Sequence, residues 1–93
     1  MHYVYLLHLS NKQIYVGYTN NLKRRYFEHK QGRNHTTKRF LPIKLIFYEA
    51  FVSKDDALKR ERYLKSFKGK KTLQAMLKNT FLENNYARPV RSL

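Results

Sequence analysis

Two runs of β-branched and aromatic residues open the chain, 2–9 (His-Tyr-Val-Tyr-Leu-Leu-His-Leu) and 13–18 (Gln-Ile-Tyr-Val-Gly-Tyr), separated by the turn-like Ser10-Asn11-Lys12. This pattern predicts an antiparallel β-hairpin. The spacing then becomes helical: Thr19, Asn20 or Asn21 can cap a helix running to about Lys30, and Gln31-Gly32 supplies its stop. Residues 33–42 read as a basic polar loop ending at Pro42. Ile43 to Phe51 predicts a third strand, with Ile43, Leu45 and Phe47 on one face and Ile46 and Tyr48 on the other. Apolar residues on both faces suggest a strand covered on both sides and placed centrally.

Ser53-Lys54-Asp55-Asp56 has the spacing of a capping box and predicts a second helix to about Phe67, broken by Gly69. A third helix follows from about Lys70 to Phe81, presenting Leu73, Met76 and Leu77. The expected fold is therefore α+β, a three-stranded antiparallel or mixed sheet flanked by helices in the order ββαβαα. One domain spans 1–82, and 83–93, with Pro89 and no periodicity, form a C-terminal tail. A chain of 93 residues buries only about two-thirds of its unfolded surface, which leaves room for one core.

Charge changes the picture. Twenty Lys and Arg against six Asp and Glu give a net charge of +14, beyond the magnitude of about 2 to 8 usual for a small soluble domain. A polyanion accounts for such an excess, and nucleic acid is the first candidate because each neutralised phosphate releases counterions. No apolar stretch approaches the roughly eighteen residues needed to span a bilayer, so a membrane partner is not expected. The absence of cysteine removes disulfides and thiolate metal sites and makes a cytoplasmic location the default. The basic residues interleave with eight Tyr and six Phe along the whole chain, as in a folded basic domain. A passive nucleic-acid binder fits these facts as well as an enzyme does.

The helices carry the sharper clue. On the first, the inward stripe reads Leu22, Arg25, Tyr26 and His29. A guanidinium facing the core is costly unless it is paired or lines a cleft. On the second, Glu61 falls between Ala57, Leu58 and Leu64, Lys65, so one of only six acids points inward. The plainer reading is an Arg25–Glu61 ion pair with a half-buried His29; the functional one is a carboxylate that binds a hard divalent cation through oxygen. Gly17 inside the second strand marks a close approach by a neighbour or ligand.

These residues coincide with a known pattern. Tyr3-Val4-Tyr5 followed by Tyr15-Val16-Gly17 resembles the paired signature of the GIY-YIG nuclease superfamily. The segment from Thr19 to His29 resembles its Arg-x-x-x-His helix, and the one from Ala57 to Lys65 its Glu helix. The resemblance covers residues 3 to about 78, with four motifs in order. It is closest to small single-domain bacterial members and extends to the N-terminal domain of the nuclease component of the ABC excinuclease and to homing endonucleases of this class. One departure is that Tyr3 replaces the first Gly of the signature, leaving less room beside the sheet.

The resemblance implies an endonuclease that hydrolyses DNA phosphodiester bonds with Mg²⁺ or Mn²⁺, structure-directed in repair or recombination. Its catalytic residues would be Tyr5, Tyr15, Arg25, His29 and Glu61, with Glu61 as metal ligand. Arg25 would stabilise phosphoryl charge, and Tyr15 is the candidate to take the proton from water, helped by nearby cations that favour its phenolate. Which tyrosine is base and which is orienter stays open on the sequence. Lys38, Arg39, Lys65, Lys68, Lys70 and Lys71 are candidate phosphate contacts. The expected partner is duplex, nicked or branched DNA, with RNA as a further substrate class and a protein partner for targeting. No base-reading motif is visible, so little sequence specificity is expected. The alternative is a non-catalytic nucleic-acid-binding protein retaining the fold.

Overall fold

The two N-terminal runs pair as expected. In the computed structural model, which describes residues 1–84, strands β1 (His2–His8) and β2 (Ile14–Thr19) form an antiparallel hairpin. Its turn is closed by Leu9 N–H donating to the Gln13 carbonyl at 3.0 Å and by Lys12 at φ 69°. Helix α1 (Leu22–Lys30) follows, capped by Asn21, whose side chain accepts from the Arg24 N–H. After a 3₁₀ turn at Lys38–Phe40 comes β3 (Lys44–Phe51), then α2 (Lys54–Lys65), capped by Ser53 as its spacing predicts.

The fold is α+β with a three-stranded sheet flanked by helices, and the sheet is antiparallel throughout, in the order β2-β1-β3. The centre is therefore β1 and not β3. Val4–Leu7 are buried in succession, as a strand covered on both faces requires. A register shift between Leu6 and Leu7 explains why β3 misleads: Phe47 pairs with Leu6 and Leu45 with Leu7, leaving Ile46 as an extra residue. Ile46 and Phe47 consequently both pack towards α2, and the simple alternation across β3 fails.

Two further expectations are corrected. Gly69 does not break a helix. Ser66 ends α2 and caps α3 (Phe67–Met76), so Gly69 lies in the first turn of α3. A Cβ there would collide with the Tyr63 carbonyl and lie 2.6 Å from Leu64 Cα, so the residue permits close helix approach. The third helix is also interrupted at Leu77, giving α3 and α4 (Lys78–Glu83) and the order ββαβααα. The kink keeps Leu73, Leu77 and Phe81 all in the core. The expected tail from residue 83 lies, beyond Asn84, outside the described residues.

The sheet divides the interior in two. On one face α2, α3 and α4 cover Val4, Leu6, Ile14 and Val16 with Ala57, Leu64, Leu73, Leu77 and Phe81. On the other, Tyr5, Leu7, Leu9 and Ile43 pack with Tyr15 and with Leu22 and Tyr26 of α1. Among the described residues, no helix is long and apolar enough to cross a membrane.

Candidate active site

The polar residues gather on the α1 face. Tyr5 on β1 lies opposite Gly17 on β2, and Leu7 opposite Tyr15, so both phenols rise from the same side. Gly17 is required by this packing: a Cβ there would meet the Tyr5 ring at Cζ and lie 2.5 Å from its Oη. The close neighbour that the glycine implied is thus Tyr5.

His29, on the inward stripe of α1, is fully buried at 0% exposure, and Tyr5 is buried to 1%. Tyr5 Oη is 2.8 Å from His29 Nε2, and His29 Nδ1 is 2.8 Å from Thr37 Oγ1. Thr37, itself buried, is fixed by its N–H donating to Asn34 Oδ1 at 2.9 Å. Burial, and after it the Arg25 cation, pushes the imidazole down to about 4 against a small opposing effect of Glu28. The ring is therefore neutral near pH 7, one nitrogen donating and the other accepting. Burial, then the neighbouring Tyr15, holds the Tyr5 phenol well above its usual range, although Arg25 acts to lower it. Tyr5 and His29 are consequently a neutral, water-excluded pair.

Tyr15 and Arg25 stand above this pair and are only partly buried. The Tyr15 ring lies 5.2 Å from that of His29 and 6.2 Å from that of Tyr5, centroid to centroid. Arg25 Nη1 donates to Glu28 Oε1 at 3.2 Å. Burial works against the Arg25 charge, but Tyr5 and Glu28 outweigh it, so the guanidinium stays protonated. Beside Arg25, at the C-terminal end of the outer strand β2, Tyr18, Thr19, Asn20, Arg24, Arg25 and Lys54 line a polar depression of about 310 Å³. Cations from both α1 and α2 face it.

Glu61 lies on α2. Its helix covers the opposite face of the sheet, and its partner is Lys65, with Nζ 3.2 Å from Oε2. The Arg25–Glu61 ion pair of the plainer reading is absent among the described ion pairs, since each charge is met within its own helix. No group of three or more His, Asp or Glu that could hold a metal is found among the described residues. A lone, mostly covered carboxylate still suits Mg²⁺, which keeps several waters and uses one or two carboxylates together with substrate phosphates.

The candidate phosphate contacts fall into two groups. Lys38 and Arg39 are exposed on the α1 side, Arg39 lying 5.9 Å from the Phe40 ring centroid. Lys65, Lys68 and Lys71 are exposed and Lys70 partly buried on the α2–α3 side. Sequence reasoning missed Thr37, Glu28, Arg24 and Lys54. Glu28 was detectable as the acid three residues from an inward Arg; Thr37 was hinted at only by the need of a buried His for a second partner.

The model of the GIY-YIG catalytic domain matches residues 1–74. The chain belongs to the GIY-YIG family. This is a family of nucleases. A UPF0213 protein of Clostridium perfringens is 35% identical over 92 residues, covering 97% of this chain and 98% of its own. One from Streptococcus agalactiae is 41% identical over 76 residues, or 81% and 82% of the two chains. The solution NMR structure of a UPF0213 protein from Bacillus halodurans superimposes with a TM-score of 0.55 at 34% identity, covering 90% of this chain and 92% of that one. The GIY-YIG match spans the tyrosine hairpin, α1 and α2, and so takes in each of the five candidate catalytic positions.

Proposed function

We propose that this GIY-YIG domain is a divalent-metal-dependent endonuclease that hydrolyses DNA phosphodiester bonds, acting on nicked or branched DNA in repair or recombination in the cytoplasm. The observation that carries the reading is the buried Tyr5–His29–Thr37 chain beneath Tyr15 and Arg25. A fold selected for stability alone gains little from such a chain, because a well-packed apolar replacement is often neutral or better. Its use is to hold the groups above it.

Arg25 binds and neutralises the phosphoryl oxygens along the β2 edge, assisted by Arg24 and Lys54. Tyr15, acting as its phenolate, takes the proton from the attacking water and becomes the neutral phenol. Tyr5 is unsuited to that step, being buried and held neutral, so it and His29 are positioning residues. Glu61 is the candidate metal ligand, shared with a substrate phosphate. Lys65 now holds a cationic group at its carboxylate and would be released towards phosphate. When bound, the ion supplies Lewis-acid stabilisation of charge on the phosphoryl and leaving oxygens.

The test is cleavage of supercoiled plasmid and of branched DNA with Mg²⁺ or Mn²⁺ against chelator. Tyr15→Phe should lower the rate by about 10²- to 10⁴-fold and Arg25→Ala by about 10²- to 10³-fold, with binding largely retained by the former. Glu61→Gln should abolish the metal-dependent rate. Full activity in Glu61→Gln or Arg25→Ala overturns the assignment. DNA binding by every variant with no cutting of any substrate favours the non-catalytic binding module.

A further inference from the structure

Beyond the depression at the β2 edge, a second one opens on the other flank of α1. Its volume is about 410 Å³, within the range of small-ligand sites, and Tyr3, Tyr26, Tyr48, Leu22, Leu45 and Asn20 contribute to its lining. Tyr26 packs on the core beneath, but Tyr48 is 53% exposed, so the core does not account for all three phenol rings of this open pocket. They are nonetheless held in place. Tyr48 meets Tyr3 edge-on at 6.2 Å between centroids, and the Leu45 N–H donates to Tyr26 Oη at 3.3 Å. Tyr3 is the residue that stands where the family signature carries Gly, so one wall of the pocket is the side chain by which this chain departs from that pattern.

Two observations identify the occupant. Asn20 lines both depressions, so the aromatic pocket adjoins the groove that carries Arg24, Arg25 and Lys54. The whole chain carries a net charge of +14, and Lys23 also lines the pocket, so a polyanion is drawn to this side of α1. A ligand with a planar aromatic group attached to a phosphate backbone satisfies both halves at once. Rings accept any base by stacking, while the Asn side-chain amide is of the type that pairs with base edges.

We propose that this pocket receives an unpaired nucleobase of the strand whose phosphates occupy the β2-edge groove. The domain then favours single-stranded or frayed DNA over intact duplex, in which every base is stacked and out of reach. The inference rests on the nucleic-acid part of the proposed function and adds a preference for unpaired bases to it.

The experiment compares wild type, Tyr48→Ala and Tyr48→Phe. Fluorescence anisotropy reads binding to a single-stranded oligodeoxynucleotide and to a blunt, fully paired duplex of equal length, in chelator so that nothing is cut. Tyr48 is exposed on an outer strand, so these changes leave the core intact, and circular dichroism checks this. Tyr48→Ala should weaken single-strand binding by roughly 5- to 150-fold and duplex binding by less than about twofold, with Tyr48→Phe close to wild type. Unchanged single-strand binding in Tyr48→Ala, or an equal loss on duplex, overturns the pocket. If wild type cuts DNA while Tyr48→Ala binds normally, the pocket falls and the nuclease stands. If Tyr48 governs single-strand binding but wild type cuts no substrate, the pocket stands and the nuclease falls.

Discussion

Acid should weaken this fold through the His29 imidazole. His29 has no access to water, and both ring nitrogens are engaged, by Tyr5 and by Thr37. Its folded pKa is pushed down from 6.5 to about 4. Above pH 6.5 the ring is neutral in folded and unfolded chains alike and exerts no pH dependence. Between 6.5 and about 4 the unfolded chain binds a proton that the folded one refuses, so stability falls as pH falls. The loss is complete near the folded pKa. At 1.36 kcal/mol per unit, the shift amounts to about 3 kcal/mol, which in a domain this small lowers Tm by roughly 12 to 24 °C.

Urea unfolding of wild type and His29→Gln, followed by circular dichroism at several pH values from 7 to 4, isolates the effect. His8, also lowered by burial and by Lys12 and Lys44, adds a loss of the same sign, but equally in both proteins. Glutamine cannot titrate. The variant starts less stable at pH 7, and the gap between the two proteins should narrow by about 3 kcal/mol as pH falls through the window. A gap that stays constant, or a His29 resonance that titrates near 6.5 by NMR, would refute a buried neutral ring.

Gly17→Ala should cost on the order of 1 to 3 kcal/mol or more in urea unfolding, because its Cβ meets the buried Tyr5 ring, which has no free space to enter. Thr37→Val keeps the shape and removes the His29 partner; a loss of about 1 to 3 kcal/mol is expected, and Thr37→Ser should recover most of it. Binding to duplex DNA should depend on salt with a slope of log affinity against log salt near −4.5 if about five phosphates are engaged, and a slope near zero removes the polyanion argument.

The sequence was legible where a residue's own chemistry decides local structure. Asn21 and Ser53 accept backbone N–H groups from the next turn as their side chains dictate. Arg25 and His29 were visible as polar residues on an inward stripe, and the nearest explanation for them proved to be tyrosines from the hairpin. What was not legible depends on partners distant in sequence. The bulge opposite Leu6 and Leu7 needs knowledge of pairing, and without it β3 imitates a central strand. Gly69 looked like a stop, yet its role is set by how closely the start of α3 passes the end of α2. Thr37 sat in a segment whose composition says only basic loop, although an Asn34 turn folds it onto His29. No Gly or Pro announces the interruption at Leu77, which follows from three apolar residues needing one core.

The two faces of the sheet divide the work of the domain. The α2 face is almost wholly apolar and can carry stability by burial alone, while the α1 face holds the hydrogen-bonded Tyr5, His29 and Thr37. Among the described residues, β2 is an edge strand whose outer side has no strand partner. An exposed edge invites another strand, and charge is a common defence. Here the flanking charges are Arg24 and Arg25 from α1 and Lys54 from α2. These are the three cations that the proposed function assigns to a phosphate backbone, so under that proposal protecting the edge and recruiting a nucleic acid call for no separate residues.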